Sequence, residues 1–269
     1  MNAREALLSV VEVVKNFGDQ KAIGSYYLEF SRRLEVLRHV EEHCRPGSTI
    51  LDLGAQPFIL SCALRRMGYN VIAFDIEPET YRKIAEACDI NVISCDLEKD
   101  DPGVSNAECI VFTEVLEHLH YYYVPIVLNK INKALRREGV LILTTPNIAS
   151  LFRRIKLLLG IQPIYRYHVR EYTMNEILSV LREAGFEIMK AYYSIVNDLA
   201  FINAEPDDYL RISRFKEMLG IALKKPTKLN ILRILAYPIV KLKPDTRQLM
   251  VIIAKKIKEQ SLQNLERWG

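Results

Sequence analysis

Residues 49–60 read TILDLGAQPFIL: a short apolar strand, an acid at Asp52, a glycine at Gly54, then Gln56, Pro57 and Phe58. A dinucleotide-binding loop would carry its second and third glycines in that last stretch. The opening predicts the first strand and turn of a nucleotide-binding unit, and the continuation departs from one, since Pro57 has no N–H to donate. Outward from this point strand and helix alternate. TILDL leads to a helix around FILSCALRRMG, ended by Gly68. NVIAFD leads to PETYRKIAEAC, with Pro78 in the first turn. NVISCD follows, then a loop rich in Asp, Pro, Gly and Asn; ECIVFT leads to VPIVLNKINKALRREG, and GVLILTTPN makes a fifth strand. Nearly continuous apolar strands separated by helices predict an α/β fold with a parallel sheet buried on both faces. Right-handed crossovers make that sheet doubly wound.

After Asn147 the alternation loosens. ASLFRRIKLLLG reads as a helix and IQPIYRYHVREY as a loop. TMNEILSVLREAGF is helical, with Thr173 as N-cap and Glu176 completing a capping box. EIMKAYYSIV predicts a sixth strand and RQLMVIIAKK a seventh; an insertion joins them, which leaves an antiparallel placement open. Ahead of the first strand, Phe30, Leu34, Leu37 and Cys44 of YYLEFSRRLEVLRHVEEHC fall at helical spacing. The expected organisation is an N-terminal helical extension (1–46), a core (47–198), a basic helical cap (199–245), and a final strand with a tail (246–269).

Composition is that of a globular chain: 269 residues, 49% hydrophobic and 26% charged, enough for one large α/β domain with an appendage. No uncharged apolar run reaches the length of a membrane span. MNAREALLSVVEVVKNF interrupts its apolar pattern with Arg4, Glu5 and Glu12 and reads as a folded amphipathic helix, not a signal peptide. The five cysteines, Cys44, Cys62, Cys88, Cys95 and Cys109, form no CxxC pair. They are expected to be reduced, buried thiols in a cytoplasmic protein with no metal site. Charge is uneven. Between Tyr209 and Lys243 nine Lys/Arg face one acid, Glu217, so that segment carries +8 while the rest of the +4 chain carries −4.

In a doubly wound sheet, ligands bind outside the carboxyl ends of the strands near the point where strand order reverses. Asp52, Gly54, Ala55 and Gln56 follow the first strand; Asp75 and Ile76 end the second; Asp96 and Leu97 follow the third; Thr113 and Glu114 end the fourth. An acid at Asp75 stands where a carboxylate accepts both hydroxyls of a ribose.

With ILDLGA, VIAFDIEP, CDLE, FTEVLEHL, LRREGVLILTTPN and HVREYTMNEILSVLREAGFEI in this order, the chain resembles the class I S-adenosylmethionine-dependent methyltransferases over roughly residues 30 to 195. The likeness is strongest to the small-molecule, lipid and sugar methyltransferases. It implies a seven-stranded, mainly parallel sheet with the last strand antiparallel, and S-adenosylmethionine as cofactor. It also implies residue roles. Asp52 and Gly54, with Ala55 and Gln56 in the same loop, lie near the methionine part; Asp75 binds ribose, with Ile76 beside the adenine. Asp96 and Leu97 sit at the adenine edge, and Thr113 and Glu114 face the transferred methyl. A dinucleotide dehydrogenase also wants an acid after strand two, but it needs a pyrophosphate cradle that GAQPFI lacks. S-adenosylmethionine has no phosphate. Two alternatives remain: a catalytically silent relative acting as a partner subunit, and a nucleotide-dependent enzyme on the same fold.

His118, four residues after Glu114, is the candidate general base, its other reading being a structural anchor for the loop. His120 and Tyr121 are candidates for the acceptor pocket or for the packed start of the next helix. His168, Arg170 and Tyr172 of YHVREYT border the acceptor side in the resembling family. No Asn/Asp-Pro-Pro-Tyr/Phe stretch follows strand four, no Pro-Cys or Thr-Cys stands at a strand end, and no His/Asp cluster suggests a magnesium site. The expected acceptor is therefore an oxygen, less readily a nitrogen, of a small molecule, sugar or lipid-linked compound. The basic segment mixes Leu/Ile with Lys/Arg at helical spacing: it is either a lid with a solvated face or a peripheral contact with an anionic membrane through residues 209–243. Its few aromatic residues disfavour nucleic acid.

Overall fold

The strands are β1 (Thr49–Leu53), β2 (Asn70–Asp75), β3 (Asn91–Ser94), β4 (Ala107–Thr113), β5 (Leu135–Pro146), β6 (Phe186–Ser194) and β7 (Leu249–Lys256). In the computed structural model, which describes residues 1–259, they form one sheet in the order β3-β2-β1-β4-β5-β7-β6. β1 pairs in parallel with both β2 and β4, so strand order reverses there, and Asp52, Asp75 and Thr113 all stand at carboxyl ends around that switch point. β7 runs antiparallel to β5 and β6, as the family resemblance implies. Residues 260–269, the expected tail, lie outside the described residues.

Thirteen helices are described: α1 (Ala3–Ser9), α2 (Val11–Phe17), α3 (Gln20–Leu28), α4 (Phe30–His43), α5 (Ile59–Arg66), α6 (Arg82–Glu86), α7 (Val124–Ala134), α8 (Leu151–Leu158), α9 (Met174–Glu183), α10 (Val196–Ala200), α11 (Pro206–Tyr209), α12 (Phe215–Lys224) and α13 (Lys228–Leu242). The period of two along each strand sorts the core into layers. Ile50, Val111, Ile142 and Ile253 pack with Leu7, Leu37 and Leu64 of α1, α4 and α5. Their neighbours Leu51, Ile110, Leu141 and Ile252 pack on the opposite face with Ile131 of α7 and Leu181 of α9. The segment between β6 and β7 has a small apolar cluster of its own, Leu199, Ile202, Ile212 and Met218.

Local chemistry accounts for the departures from the sequence reading. The N-terminal helix is two helices, because the chain turns at Val10; Asn2 and Glu5 form a capping box on α1, and Gly18 at φ 80° ends α2. PETY forms a 3₁₀ turn ahead of a short α6. LRREG, read as the end of α7, begins β5 instead, entering the sheet through a register shift opposite Ala107 and Cys109. The expectation of five free thiols is corrected as well: Cys62 and Cys88 are joined by a disulfide, and Cys44, Cys95 and Cys109 are free and buried. Cys62 lies on the inner face of α5 and Cys88 just past α6, with Cα atoms 5.3 Å apart, a proximity that a separation of 26 residues does not announce.

Candidate active site

The loop after β1 is closed on itself. Gly54 takes φ 71°, and the amides of Gly54 and Ala55 both donate to the carbonyl of Phe74, at 2.8 and 3.0 Å. The Gln56 amide donates to Asp75 Oδ2 at 3.0 Å, and the Phe58 amide to the Ala55 carbonyl at 2.7 Å. The Gln56–Pro57 peptide is cis. Phe58 sits at φ 64°, costly for a bulky residue, and its ring is fully buried, which holds it there. Every amide from Gly54 to Phe58 is thus engaged, and none is left for a phosphate. The Gln56 side chain donates to the Glu77 carbonyl, spanning the β1 and β2 loops. A Cβ at Gly54 would lie 2.3 Å from Val115 Cγ2. Gly54→Ala is expected to cost about 2–4 kcal/mol, from positive φ and overpacking together, and to weaken S-adenosylhomocysteine binding; thermal denaturation and calorimetric titration check both.

Beside this loop a cavity of about 250 Å³ opens between the N-terminal helices and the ends of β1 and β4. Its walls hold Glu29, Arg32 and Arg33 from the α3–α4 stretch, Asp52 and Gln56 from the β1 side, and His118 beyond β4. Arg32 bridges Glu29 at 2.8 Å and Glu114 at 2.9 Å, while Arg33 binds Glu29 at 2.6 Å and the Ser25 carbonyl at 2.7 Å. Burial pushes the Glu29 carboxyl up, but Arg33, Arg32 and the Ser25 hydroxyl outweigh it and hold Glu29 below the usual carboxylate range. Asp52 is the opposite case. Burial, reinforced by Asp75, raises it to about 7 against the hydrogen bond from Ser61 Oγ at 2.5 Å and the attraction of Arg33.

Beyond β4, Glu114 takes φ 56° and is pinned by Arg32 and by the Thr144 hydroxyl at 2.9 Å. Glu117 is buried and accepts from Thr145 Oγ1 at 2.9 Å; its carbonyl receives the amides of Val169 and Arg170 and so docks the loop after α8. His118 Nδ1 lies 3.1 Å from the Tyr167 carbonyl. A carbonyl only accepts, so Nδ1 carries the proton and Nε2 keeps the lone pair. Burial, then the nearby His168, lowers the His118 pKa, so the ring is neutral at pH 7. The His168 ring stands edge-on to it at 4.9 Å, with its Nδ1 2.7 Å from Glu171, which Arg153 also grips.

Residues 26–191, more than half of the chain, match the family model of a methyltransferase domain. The chain belongs to that family. Solved structures agree in fold. An S-adenosylmethionine-dependent methyltransferase from Archaeoglobus fulgidus is 18% identical with a TM-score of 0.60, over 88% of this chain and 100% of that one. The methyltransferase in complex with the Trm112 activator from Haloferax volcanii is 14% identical with a TM-score of 0.58, over 86% and 92%. The cyclopropane synthase MmaA2 from Mycobacterium tuberculosis is 14% identical with a TM-score of 0.54, over 82% and 83%. Among curated proteins no sequence matches. This is a methyltransferase-family chain, and the residues of its cavity fit S-adenosylmethionine. The cavity walls pair carboxylates with guanidiniums, matching a zwitterionic amino-acid group, and the loop offers no phosphate cradle.

Within this methyltransferase the cavity gathers Asp52, Gly54, Ala55, Gln56, Thr113, Glu114 and His118 from the predicted site. Asp75 adjoins them through the Gln56 amide. Ile76 is exposed, and neither it nor Asp96 or Leu97 lines the cavity. Asp96 is held by Lys99 at 2.7 Å and by the Glu98 amide, which leaves it turned into its own loop. His120 pairs with Glu98. Tyr121, Arg170 and Tyr172 come together, with Arg170 lying over both rings, but in a second pocket of about 260 Å³ with a mostly apolar lining. His168 joins His118 instead. Sequence reasoning passed over Ser25, Glu29, Arg32 and Arg33; the one available signal was an acid and two arginines on the helix leading into β1.

Proposed function

We propose that this methyltransferase acts on an oxygen of an acceptor presented at an anionic membrane surface, a lipid or lipid-linked compound in preference to a free sugar or small molecule. The neutral His118 with its free Nε2 carries the oxygen assignment: it is poised to take a hydroxyl proton at neutral pH. Bound S-adenosylmethionine supplies an electrophilic methyl group on its sulfonium. Arg32, Arg33, Glu29 and Asp52 orient the amino-acid end, and Glu114, locked by Arg32 and Thr144, fixes the loop that presents His118. Most of the acceleration then comes from alignment.

The surface assignment rests on two helices. Exposed Leu232, Leu235, Ile239 and Leu242 recur at intervals of three and four along α13 as an apolar stripe. Exposed Leu157 and Leu158 end α8, and exposed Leu159 and Ile161 follow it. The helices adjoin, with Arg233 of α13 4.1 Å over Phe152 of α8, and exposed Lys156, Lys228, Lys241 and Lys243 flank the apolar residues. Apolar insertion framed by cations suits an anionic bilayer interface. No described helix is long and apolar enough to cross a membrane.

Co-sedimentation tests this. Phosphatidylglycerol vesicles are expected to capture the protein at least about tenfold better than phosphatidylcholine vesicles. Salt should weaken the capture, and Leu158→Asp with Leu235→Asp should abolish it. Equal sedimentation with both vesicles at low salt removes the membrane reading and leaves a soluble acceptor.

A further inference from the structure

The last turns of α4 read His39-Val40-Glu41-Glu42-His43, and the two histidines, four apart, share one face of the helix. His39 is buried, with 6% of its surface exposed, against edge strand β6. Its Nε2 lies 2.6 Å from the Tyr192 hydroxyl. That hydroxyl spends its own proton on Glu35 Oε1 at 3.0 Å, and Glu35 Oε2 accepts from Ser194 at 2.6 Å. Tyr192 therefore has only a lone pair to offer His39. The relay places the His39 proton on Nε2 and leaves Nδ1 as a bare lone pair.

That lone pair is buried and has no hydrogen-bond partner, and the same holds for His43 Nε2. Both point at one carboxylate oxygen: Glu42 Oε2 is 3.4 Å from His39 Nδ1 and 3.7 Å from His43 Nε2. The three atoms lie within 4.8 Å of one another. We propose that His39, Glu42 and His43 are a binding site for zinc(II) or a similar divalent transition-metal ion, separate from the cofactor cavity. Ligands about 2.0–2.1 Å from a tetrahedral zinc stand about 3.4 Å apart, so modest rotation of the exposed Glu42 and of His43 closes the set, and water completes it. The Tyr192–Glu35 relay is the outer shell that such a histidine requires, since it fixes the ring and its tautomer. Lys190, also on β6, lies over the Tyr192 ring at 5.3 Å and is the neighbouring cation the ion must tolerate. Eleven residues separate His43 from Arg32, about 16 Å along the helix, so the ion braces the C-terminal end of the helix whose other end lines the cofactor cavity.

This departs from the metal-free expectation, which rested on the lack of a CxxC pair and of a His/Asp cluster in the sequence. The test uses tag-free full-length protein freed of metal with a chelator, then titrated with zinc(II) by calorimetry and with cobalt(II) by visible absorption. One equivalent should bind, with the intense d–d bands of a tetrahedral cobalt site. His43→Ala should weaken binding about 100-fold and Glu42→Gln about tenfold. Circular dichroism and S-adenosylhomocysteine titration should show both variants folded and cofactor-competent. Glu117, His118 and His168 also converge, so His118→Ala/His168→Ala serves as the control and should keep the stoichiometry. Absence of stoichiometric uptake, or uptake that survives His43→Ala and vanishes in the control, overturns the assignment.

Discussion

Replacing His118 with alanine lowers kcat by about 10²–10⁴-fold while the Kd for S-adenosylhomocysteine is unchanged, because the ring holds a proton-accepting Nε2 beside the cavity and takes no part in the ion pairs of its walls. The measurement is transfer of labelled methyl groups into vesicles of extracted lipid. Its pH profile carries a second expectation. The base works only when neutral, and burial together with His168 depresses its pKa below the ordinary 6.5. The wild-type rate is therefore flat above that value and falls as pH drops through the depressed pKa. His168→Asn removes the neighbouring imidazole that, after burial, lowers the His118 pKa, so the acid limb moves up toward 6.5 with a smaller loss of rate. If His118→Ala retains full kcat, the ring is a strut between the β4 loop and the Tyr167 carbonyl, and the acceptor needs no protein base.

What the sequence made readable is what strand periodicity and strand ends encode. TILDL, NVIAFD and ECIVFT alternate between two buried layers, and their last residues fall at the switch point without knowledge of any contact. The missing glycines after Gly54 were also legible: they pointed away from a phosphate, and the structure shows why, since each amide of that loop already has an internal acceptor. The other wall of the cavity was hidden. Glu29, Arg32 and Arg33 have the spacing of a solvated helix face, and only the packing of α4 beside the cavity takes them out of solvent. The same holds for His39, which counts as a surface histidine until Tyr192 of β6 covers it, and for His43, whose ring stacks on His39. Tyr121, Arg170 and Tyr172 were grouped rightly by adjacency, yet which of two pockets they enter depends on the loop that Glu117 docks, a contact across 52 residues or more. Local pattern locates elements; long-range burial decides which charges become functional.

Asp52→Asn separates stability from binding. The native carboxyl titrates at about 7 and the unfolded one at 3.8, so between those values the folded state holds the extra proton. Stability therefore falls as pH rises through that window and levels off above pH 7. Asparagine cannot ionise and keeps the shape of the protonated acid, so the variant gains on the order of 3–4 kcal/mol at pH 8 and nothing near pH 4. Thermal denaturation at the two pH values reads this directly. Binding moves the other way. A cofactor bearing a sulfonium and an ammonium favours the ionised carboxylate, so the wild-type Kd weakens as pH falls below about 7 and binding at neutral pH releases a proton, measurable in buffers of different ionisation enthalpy. The asparagine variant should bind about 10–100-fold more weakly at pH 8 and lose the pH dependence. Equal Kd and equal melting behaviour at both pH values would reduce Asp52 to a partner for Ser61 at the start of α5. The predicted pair of opposite changes would instead mark a buried acid retained at a cost to the fold because the cofactor neutralises it.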